Sequence, residues 1–233
     1  MLKFNKFILA LCITLGTVNA KGLQGLYIST DLGANYSTID LNLNDGGRNA
    51  IQFRTGKYLA QPNLGLSLGY DHILYNSFLI GFEILADHNL GGRREILNNK
   101  VGVSGIKVKV ERKGPGLGAL AKFGTMIGNS TVLYVGLGLK ALKYHFKYID
   151  AQPAVRFSFG KRVVRPMLQV GLQGLIKNSD NLGWRATYSY VPGKAVTRGI
   201  SPRVGNAILA GRSSFVRAKA NEHSLKLGAF YRI

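Results

Sequence analysis

Apolar residues alternate with glycine, polar or charged residues in eight separate segments of this 233-residue chain. The segments are residues 25–37, 63–71, 78–87, 116–125, 133–141, 168–176, 182–190 and 224–233. A period of two indicates β-strands, because successive side chains of a strand point to opposite faces. Eight such segments without a helical period predict an all-β fold.

The connections between these segments are of two kinds. Short polar turns are predicted around residues 75–77, 128–130 and 177–181. Long links are predicted at residues 38–62, 88–115, 143–165 and 192–222. Because short and long connections alternate strictly, every long link emerges at one end of the fold. The even number of strands then places both chain ends at the opposite end, as in an up-and-down antiparallel arrangement.

The two faces of the predicted strands indicate what surrounds them. One face is apolar and carries tyrosine or tryptophan toward the strand ends, whereas the other is rich in glycine with scattered charges of both signs. Glycine and charges suit the lining of a narrow barrel, and an apolar wall with aromatic girdles suits lipid. Closure also leaves no strand edge unpaired in hydrocarbon. We expect an eight-stranded transmembrane β-barrel, with a soluble lipocalin-like barrel or a sandwich as the alternative.

The first twenty residues predict a cleavable secretory signal. Lys3 and Lys6 precede an apolar run over residues 7–15, and small residues follow it at 18–20. This run is too short to cross the ~30 Å of hydrocarbon as a helix. The only cysteine, Cys12, falls inside it, so we expect no disulfide in the mature chain. We divide the chain into a signal peptide at residues 1–20 and one barrel domain at residues 21–233.

Four segments carry a resemblance to a known family: GLYISTDLGANYS, GFEILAD, RPMLQVGLQGLIKNSDNLGWRATYSYV and LKLGAFYRI. They resemble the small outer-membrane β-barrels, a family that includes the OmpA transmembrane domain, OmpX and the Opa adhesins. The resemblance implies an integral outer-membrane protein of a Gram-negative bacterium, with four long extracellular loops and short periplasmic turns. It also implies that the last strand is an assembly signal for the barrel-assembly machinery, carried by Leu227, Tyr231 and Ile233. We expect a monomer.

Charged residues fall on the predicted inner face of the barrel. They are Asp31, Asp71, Glu83, Lys122, Lys140, Arg185, Lys226 and Arg232. Charges in a lumen with little water must pair, because desolvating an unpaired ion is costly. The resemblance implies that Glu83 pairs with a lumen base. Two functions stay open: a gate whose ion pairs exchange partners, and a static plug, which eight strands favour because they enclose room only for side chains.

The long links carry most of the excess positive charge. The chain has 31 Lys and Arg residues against 11 Asp and Glu residues. The basic patch of the predicted loops comprises Arg93, Arg94, Lys107, Lys109, Arg112, Lys113, Arg156, Lys161, Arg162 and Arg165. Such a patch predicts binding of a polyanion, either lipopolysaccharide or a host glycan or receptor, as in an adhesin. The alternative is solvated loops whose charge matches the phosphate-rich outer leaflet. No nucleic-acid partner is expected, because these loops would face outside the cell.

No catalytic or metal site is predicted. The four histidines show no spacing typical of metal ligands. Glu222, His223 and Ser224 are the nearest candidates for the triad of a lipid-modifying barrel enzyme, but consecutive strand residues alternate faces and do not converge. We therefore expect neither an enzyme nor a cofactor. The remaining functional classes are a surface-interaction protein and, as the alternative, a narrow gated pore.

Overall fold

Eleven β-strands make up the secondary structure of the residues that the computed structural model of the chain describes. It describes residues 23–44, 58–75, 77–91, 94–99, 106–112, 114–127, 130–149, 156–177, 179–194, 196–200 and 214–233. The predicted signal peptide, with Cys12, lies outside these residues. None of the described residues forms a helix long and apolar enough to cross a membrane.

The strands are numbered in their order along the chain. They are β1 (Gly25–Asn44), β2 (Tyr58–Leu74), β3 (Phe78–Asn89), β4 (Arg94–Asn99), β5 (Ile106–Arg112), β6 (Gly116–Ile127), β7 (Thr131–Ile149), β8 (Arg156–Leu175), β9 (Leu182–Val191), β10 (Val196–Ile200) and β11 (Ser214–Arg232). All their pairings are antiparallel.

Eight of the strands close into a barrel. Their order around it is β1-β2-β3-β6-β7-β8-β9-β11, and β11 pairs again with β1. This closing seam is long, running from Tyr27 opposite Arg232 to Asn44 opposite Phe215. The predicted eight-stranded up-and-down barrel is confirmed. We call the end with the short turns and the described chain ends the turn end.

The strands extend well beyond the predicted segments at the other end. β1 continues to Asn44 and β7 continues to Ile149. Farther from the turn end, β7 pairs with β5 instead of β6, and β11 pairs with β10 instead of β9. Much of what the sequence predicted as long links is therefore sheet, which we call the extension. Apolar and polar residues also alternate in parts of the extension, at 39–44 and 106–111, so the sequence carries a signal for these strands that the predicted links leave out.

The barrel is apolar outside and polar inside. On the outer wall Leu227 is 66% exposed and Leu32 is 63% exposed, whereas Lys122 and Glu83 are fully buried in the lumen. A cluster of buried apolar and aromatic residues fills the lumen at the turn end and contains Leu23, Tyr27, Leu79, Val132, Tyr134 and Phe230. An exposed apolar wall around a polar interior is the inside-out arrangement expected of a transmembrane barrel.

Glycines in the lumen make room for aromatic rings from neighbouring strands. A β-carbon at Gly171 of β8 would lie 2.5 Å from Cζ of Tyr134 on β7. A β-carbon at Gly183 of β9 would overlap the ring of Phe230 on β11. The glycine-rich inner face therefore lets the rings lie flat across adjacent strands and fill the turn end.

Candidate functional site

The lower part of the lumen is organised around Glu83 of β3 and Arg185 of β9. Arg185 donates through Nη2 to Glu83 Oε1 (2.9 Å) and through Nη1 to Glu83 Oε2 (3.1 Å). Its Nε lies 2.9 Å from Asp31 Oδ1. The Tyr27 hydroxyl donates to Glu83 Oε2 (2.5 Å). A bidentate arginine–carboxylate contact with two further partners fixes the geometry of these side chains.

Lys122 connects this pair to the turn end. Its Nζ lies 2.7 Å from Asp71 Oδ1 and 3.8 Å from Glu83 Oε2, and it donates to the Tyr27 hydroxyl oxygen (2.9 Å). Asp71 also has Arg232 Nη2 at 3.3 Å. We call Asp31, Asp71, Glu83, Lys122, Arg185 and Arg232 the lower cluster. Every member has an ionic partner within 4 Å.

A second set of ion pairs, the upper cluster, lies nearer the extension. Lys140 Nζ is 2.8 Å from Asp87 Oδ2 and 2.7 Å from Glu222 Oε1. Arg112 contacts both of these carboxylates, with Nη1 3.3 Å from Glu222 Oε1. Lys226 Nζ lies 3.3 Å from Asp87 Oδ2. Two carboxylates therefore hold three cations that come from three different strands.

The space between the two clusters is small. It is lined by Asp31, Lys140, Gln169, Arg185 and Lys226, among other residues, and has room for about one water molecule. The charged side chains around it are all at least nine-tenths buried. Over the described residues, the lumen is therefore filled by side chains and holds no continuous wide channel.

The structure places all eight sequence-predicted lumen charges inside the barrel. Lys140 and Lys226 belong to the upper cluster, and the other six form the lower cluster. Sequence reasoning missed Asp87 and Glu222, which accept most of the contacts in the upper cluster. Asp87 lies on the inward register of the segment 78–87, so the signal was present. Glu222 lies in a part of β11 that was predicted to be a link.

Two residues of the predicted basic patch are not on an exposed loop. The side chain of Arg112 is 3% exposed and Arg165 is 2% exposed, so the prediction is wrong for both. Arg165 Nη1 donates to the Ala220 carbonyl (2.5 Å), and its guanidinium lies 5.0 Å from the ring centre of Tyr144. The reason is that β5 and the first part of β8 are strands where the sequence predicted long links, and their register turns these positions inward.

Six further residues of the predicted basic patch lie in one sheet of the extension. β4 pairs with β5, β5 with β7 and β7 with β8, which makes Lys109 a neighbour of Lys147 in the register. The patch residues on these strands are Arg94, Lys107, Lys109, Arg156, Lys161 and Arg162. Arg93 and Lys113 lie outside the described residues. We call the sheet β4-β5-β7-β8 above the apolar wall the basic sheet.

Many of the acidic residues lie in the lumen and not on the surface. Five of the eleven acidic residues of the chain, namely Asp31, Asp71, Glu83, Asp87 and Glu222, are buried inside the barrel. Only seven of the 31 basic residues lie in the lumen with them. Apart from these lumen residues, the chain carries 24 basic residues and six acidic ones.

The outer wall carries the histidine and the C-terminal residues that the sequence singled out. His223 Nδ1 lies 2.7 Å from the Tyr188 hydroxyl oxygen, while Glu222 and Ser224 are buried on the lumen side. These three consecutive residues do not converge. Leu227, Tyr231 and Ile233 are all exposed on the outer wall. Among the described residues, no group of three or more histidine, cysteine or acidic side chains could hold a metal ion.

Comparison with known proteins identifies the fold. No protein-family model matches the sequence, and no curated protein matches it. OprG from Pseudomonas aeruginosa is 15% identical with a TM-score of 0.54, over 90% of this chain and 97% of that one. Neisserial surface protein A is 11% identical with a TM-score of 0.46, over 90% and 97% of the two chains. Ail from Yersinia pestis, solved with the heparin analogue sucrose octasulfate, is 16% identical with a TM-score of 0.41, over 90% and 99%.

At these identities the likeness concerns the fold alone. The chain has the fold of the small eight-stranded outer-membrane β-barrels, as its strand segments predicted. A shared barrel does not assign a function, because unrelated functions are built on one fold. The function has to be argued from the charges of this chain.

Proposed function

We propose that this protein is an integral outer-membrane barrel whose basic sheet binds polyanions, such as sulfated glycans or lipopolysaccharide, at the cell surface. The observation that carries the proposal is that two dense basic segments, one on β4 and β5 and one on β8, lie on either side of β7 in one sheet of the extension. Because the sheet joins them through β7, their charges act on one ligand. A polyanion can then contact several cations at once.

The distribution of acids supports the same conclusion. Five of the eleven acidic residues are buried in the lumen and do not compete for the cations outside. A surface with one sign of charge raises the local concentration of oppositely charged ligands and speeds their association. The attraction is screened by salt, with a Debye length of about 8 Å at physiological ionic strength. Binding should therefore weaken as salt is added.

The test uses the refolded barrel on a panel of heparin, other sulfated glycans and lipopolysaccharide. The variant Lys107→Glu/Lys109→Glu reverses two charges of the basic sheet. The control Lys194→Glu/Lys219→Glu makes the same change at two exposed lysines, one just after β9 and one in β11. We expect salt-sensitive binding that the first variant reduces strongly and the control largely retains.

Two results would contradict this function. One is the absence of binding by the wild-type barrel that has folded, as judged by its heat-modifiable migration in electrophoresis. The other is equal loss in the two charge-reversal variants, which would indicate that only the net charge matters.

A narrow gated pore is a second candidate, favoured by one distance. Lys122 Nζ is 3.8 Å from Glu83 Oε2, although Asp71 is its closer partner at 2.7 Å. Exchange of Glu83 from Arg185 to Lys122 would open the pair that fills the lumen. The near absence of free volume between the clusters favours the plug. Conductance in planar bilayers separates the two. A plug predicts that Glu83→Gln changes no channel events, whereas discrete channel events that this variant changes would support the pore.

A further inference from the structure

A shallow cradle of cationic groups lies on the outer wall where β7 and β8 leave the apolar belt. Lys143 of β7 is directly opposite Arg162 of β8, and His145 is directly opposite Gly160. Lys143 and Arg162 are exposed and His145 is half-buried. A β-carbon at Gly160 would lie 3.6 Å from His145 Nδ1 and 3.9 Å from Lys143 Cε. Because Gly160 has no side chain, an open floor remains beside the side chains of His145 and Lys143.

Among the side chains that the structure describes, no acidic group lies beside the positive charges of this cradle. Like charges directly opposite each other on neighbouring strands are destabilising. Of the acidic side chains that the structure describes, five point into the lumen and Asp180 lies in the β8–β9 turn at the opposite end. Glu111 of β5 is the register partner of His145 on its other side. Lys143 and Arg162 therefore carry the net positive charge, and an anion between them would relieve their repulsion.

The height of the cradle indicates which anion is available. The outward residues of β7 are apolar from Leu133 to Ala141, and Lys143 is the next one. The ten steps from Leu133 to Lys143 cover ~33 Å along the strand, which is ~25 Å along the membrane normal at a tilt of ~40°. The apolar band of such barrels is about 25 Å tall. The cradle is thus level with the lipid headgroups at the extension end.

We infer that Lys143, Arg162 and His145, around the open floor at Gly160, bind the phosphate of an outer-leaflet glycolipid of the lipid A type. The inference rests on the proposed outer-membrane location, because only that location places a phosphorylated glycolipid beside the cradle. The cradle is the edge of the basic sheet next to the apolar wall and shares Arg162 with the basic patch, so the inference names the anion that this edge binds. Arg162 presents paired donors to phosphate, and Lys143 adds a compact charge from the facing strand.

The experiment measures lipid A retained by the refolded, detergent-solubilised barrel in native mass spectrometry. The probes are diphosphorylated lipid A and the same lipid after removal of its phosphates. We expect wild type to retain the phosphorylated form preferentially. Lys143→Ala/Arg162→Ala should lower the apparent affinity by about tenfold or more, where tenfold corresponds to about 1.4 kcal/mol.

Two further variants separate the cradle from general charge. Lys194→Ala/Lys219→Ala removes two exposed cations elsewhere on the rim and should retain lipid A as wild type does. Gly160→Val keeps every charge, suits a strand and fills the floor of the cradle, so it should also lower retention. Heat-modifiable migration establishes that each variant is folded.

Each outcome bears on one claim. Failure of wild type to fold into lipid vesicles would contradict the outer-membrane function itself. A folded wild type that retains both lipids equally would overturn the cradle, and so would equal loss in the cradle and control variants. Loss in Lys143→Ala/Arg162→Ala and in Gly160→Val, but not in the control, would support it.

Discussion

Replacing Glu83 by glutamine tests how much the lower cluster contributes to the stability of the barrel. Glu83 accepts two hydrogen bonds from Arg185 and one from Tyr27, and it is fully buried. Glutamine keeps the shape and one acceptor oxygen but removes the negative charge. Arg185 then keeps Asp31 as its ionic partner at 2.9 Å.

The expected cost follows from the partners that remain. Removing one member of a buried ion pair costs about 3–5 kcal/mol, because the other charge is left buried without compensation. Arg185 retains Asp31, and Lys122 retains Asp71. We therefore expect the lower end of this range, about 3 kcal/mol. Asp87→Asn should cost more, because Asp87 is the only carboxylate within 4 Å of Lys226 among the described residues.

Urea unfolding of the refolded barrel in lipid vesicles measures this cost. Trp184 is the only tryptophan in the chain and reports unfolding by fluorescence. With a urea dependence of about 3 kcal/mol per molar, at the upper end for small proteins, the midpoint should fall by about 1 M. Asp180→Asn is the control, because Asp180 is an exposed carboxylate in the β8–β9 turn. A change for Glu83→Gln within about 0.5 kcal/mol of wild type, the range of ordinary surface substitutions, would refute the reasoning.

Three other substitutions test separate parts of the account. Leu227→Arg puts a charge on the most exposed leucine of the outer wall and should cost about 2–4 kcal/mol in the same unfolding assay; no cost would argue against contact with lipid. Gly171→Ala would bring a β-carbon within 2.5 Å of the Tyr134 ring and should cost about 1–3 kcal/mol, and an unchanged midpoint would show that the ring moves freely. Ile233→Phe should leave unfolding unchanged and speed insertion into vesicles that contain the barrel-assembly machinery, whereas slower insertion would count against an assembly signal in the last strand.

The strand faces were predictable because lipid and lumen impose opposite chemistry on alternate residues. Leu225, Leu227 and Ala229 face outward and Lys226 and Gly228 face inward, as the period of two requires. Within the apolar belt this contrast is strong enough to read from the sequence. The same alternation places Glu83 and Arg185 on the inner face, where they are in contact.

The extension was harder to predict, because its outer face lacks the apolar wall that marks the outer side of the strands nearer the turn end. Arg112 lies in a segment where basic and apolar residues alternate without an apolar wall to fix their sides. Its inward direction follows from the pairing of β5 with β7, opposite Tyr144. The partners within the clusters also depend on register across several strands, so Glu222 and Lys140 could not be paired from their positions in the chain.

The central claim is that the exposed apolar wall contacts lipid and that the strands rise beyond it into water. Spin labels on single cysteines along the outward register of β11, at Ala229, Leu227, Leu225 and Lys219, test it in vesicles. The account predicts high accessibility to oxygen and low accessibility to a water-soluble relaxation reagent at Leu225, Leu227 and Ala229, with the reverse at Lys219. Free access of the water-soluble reagent to Leu227 would contradict it.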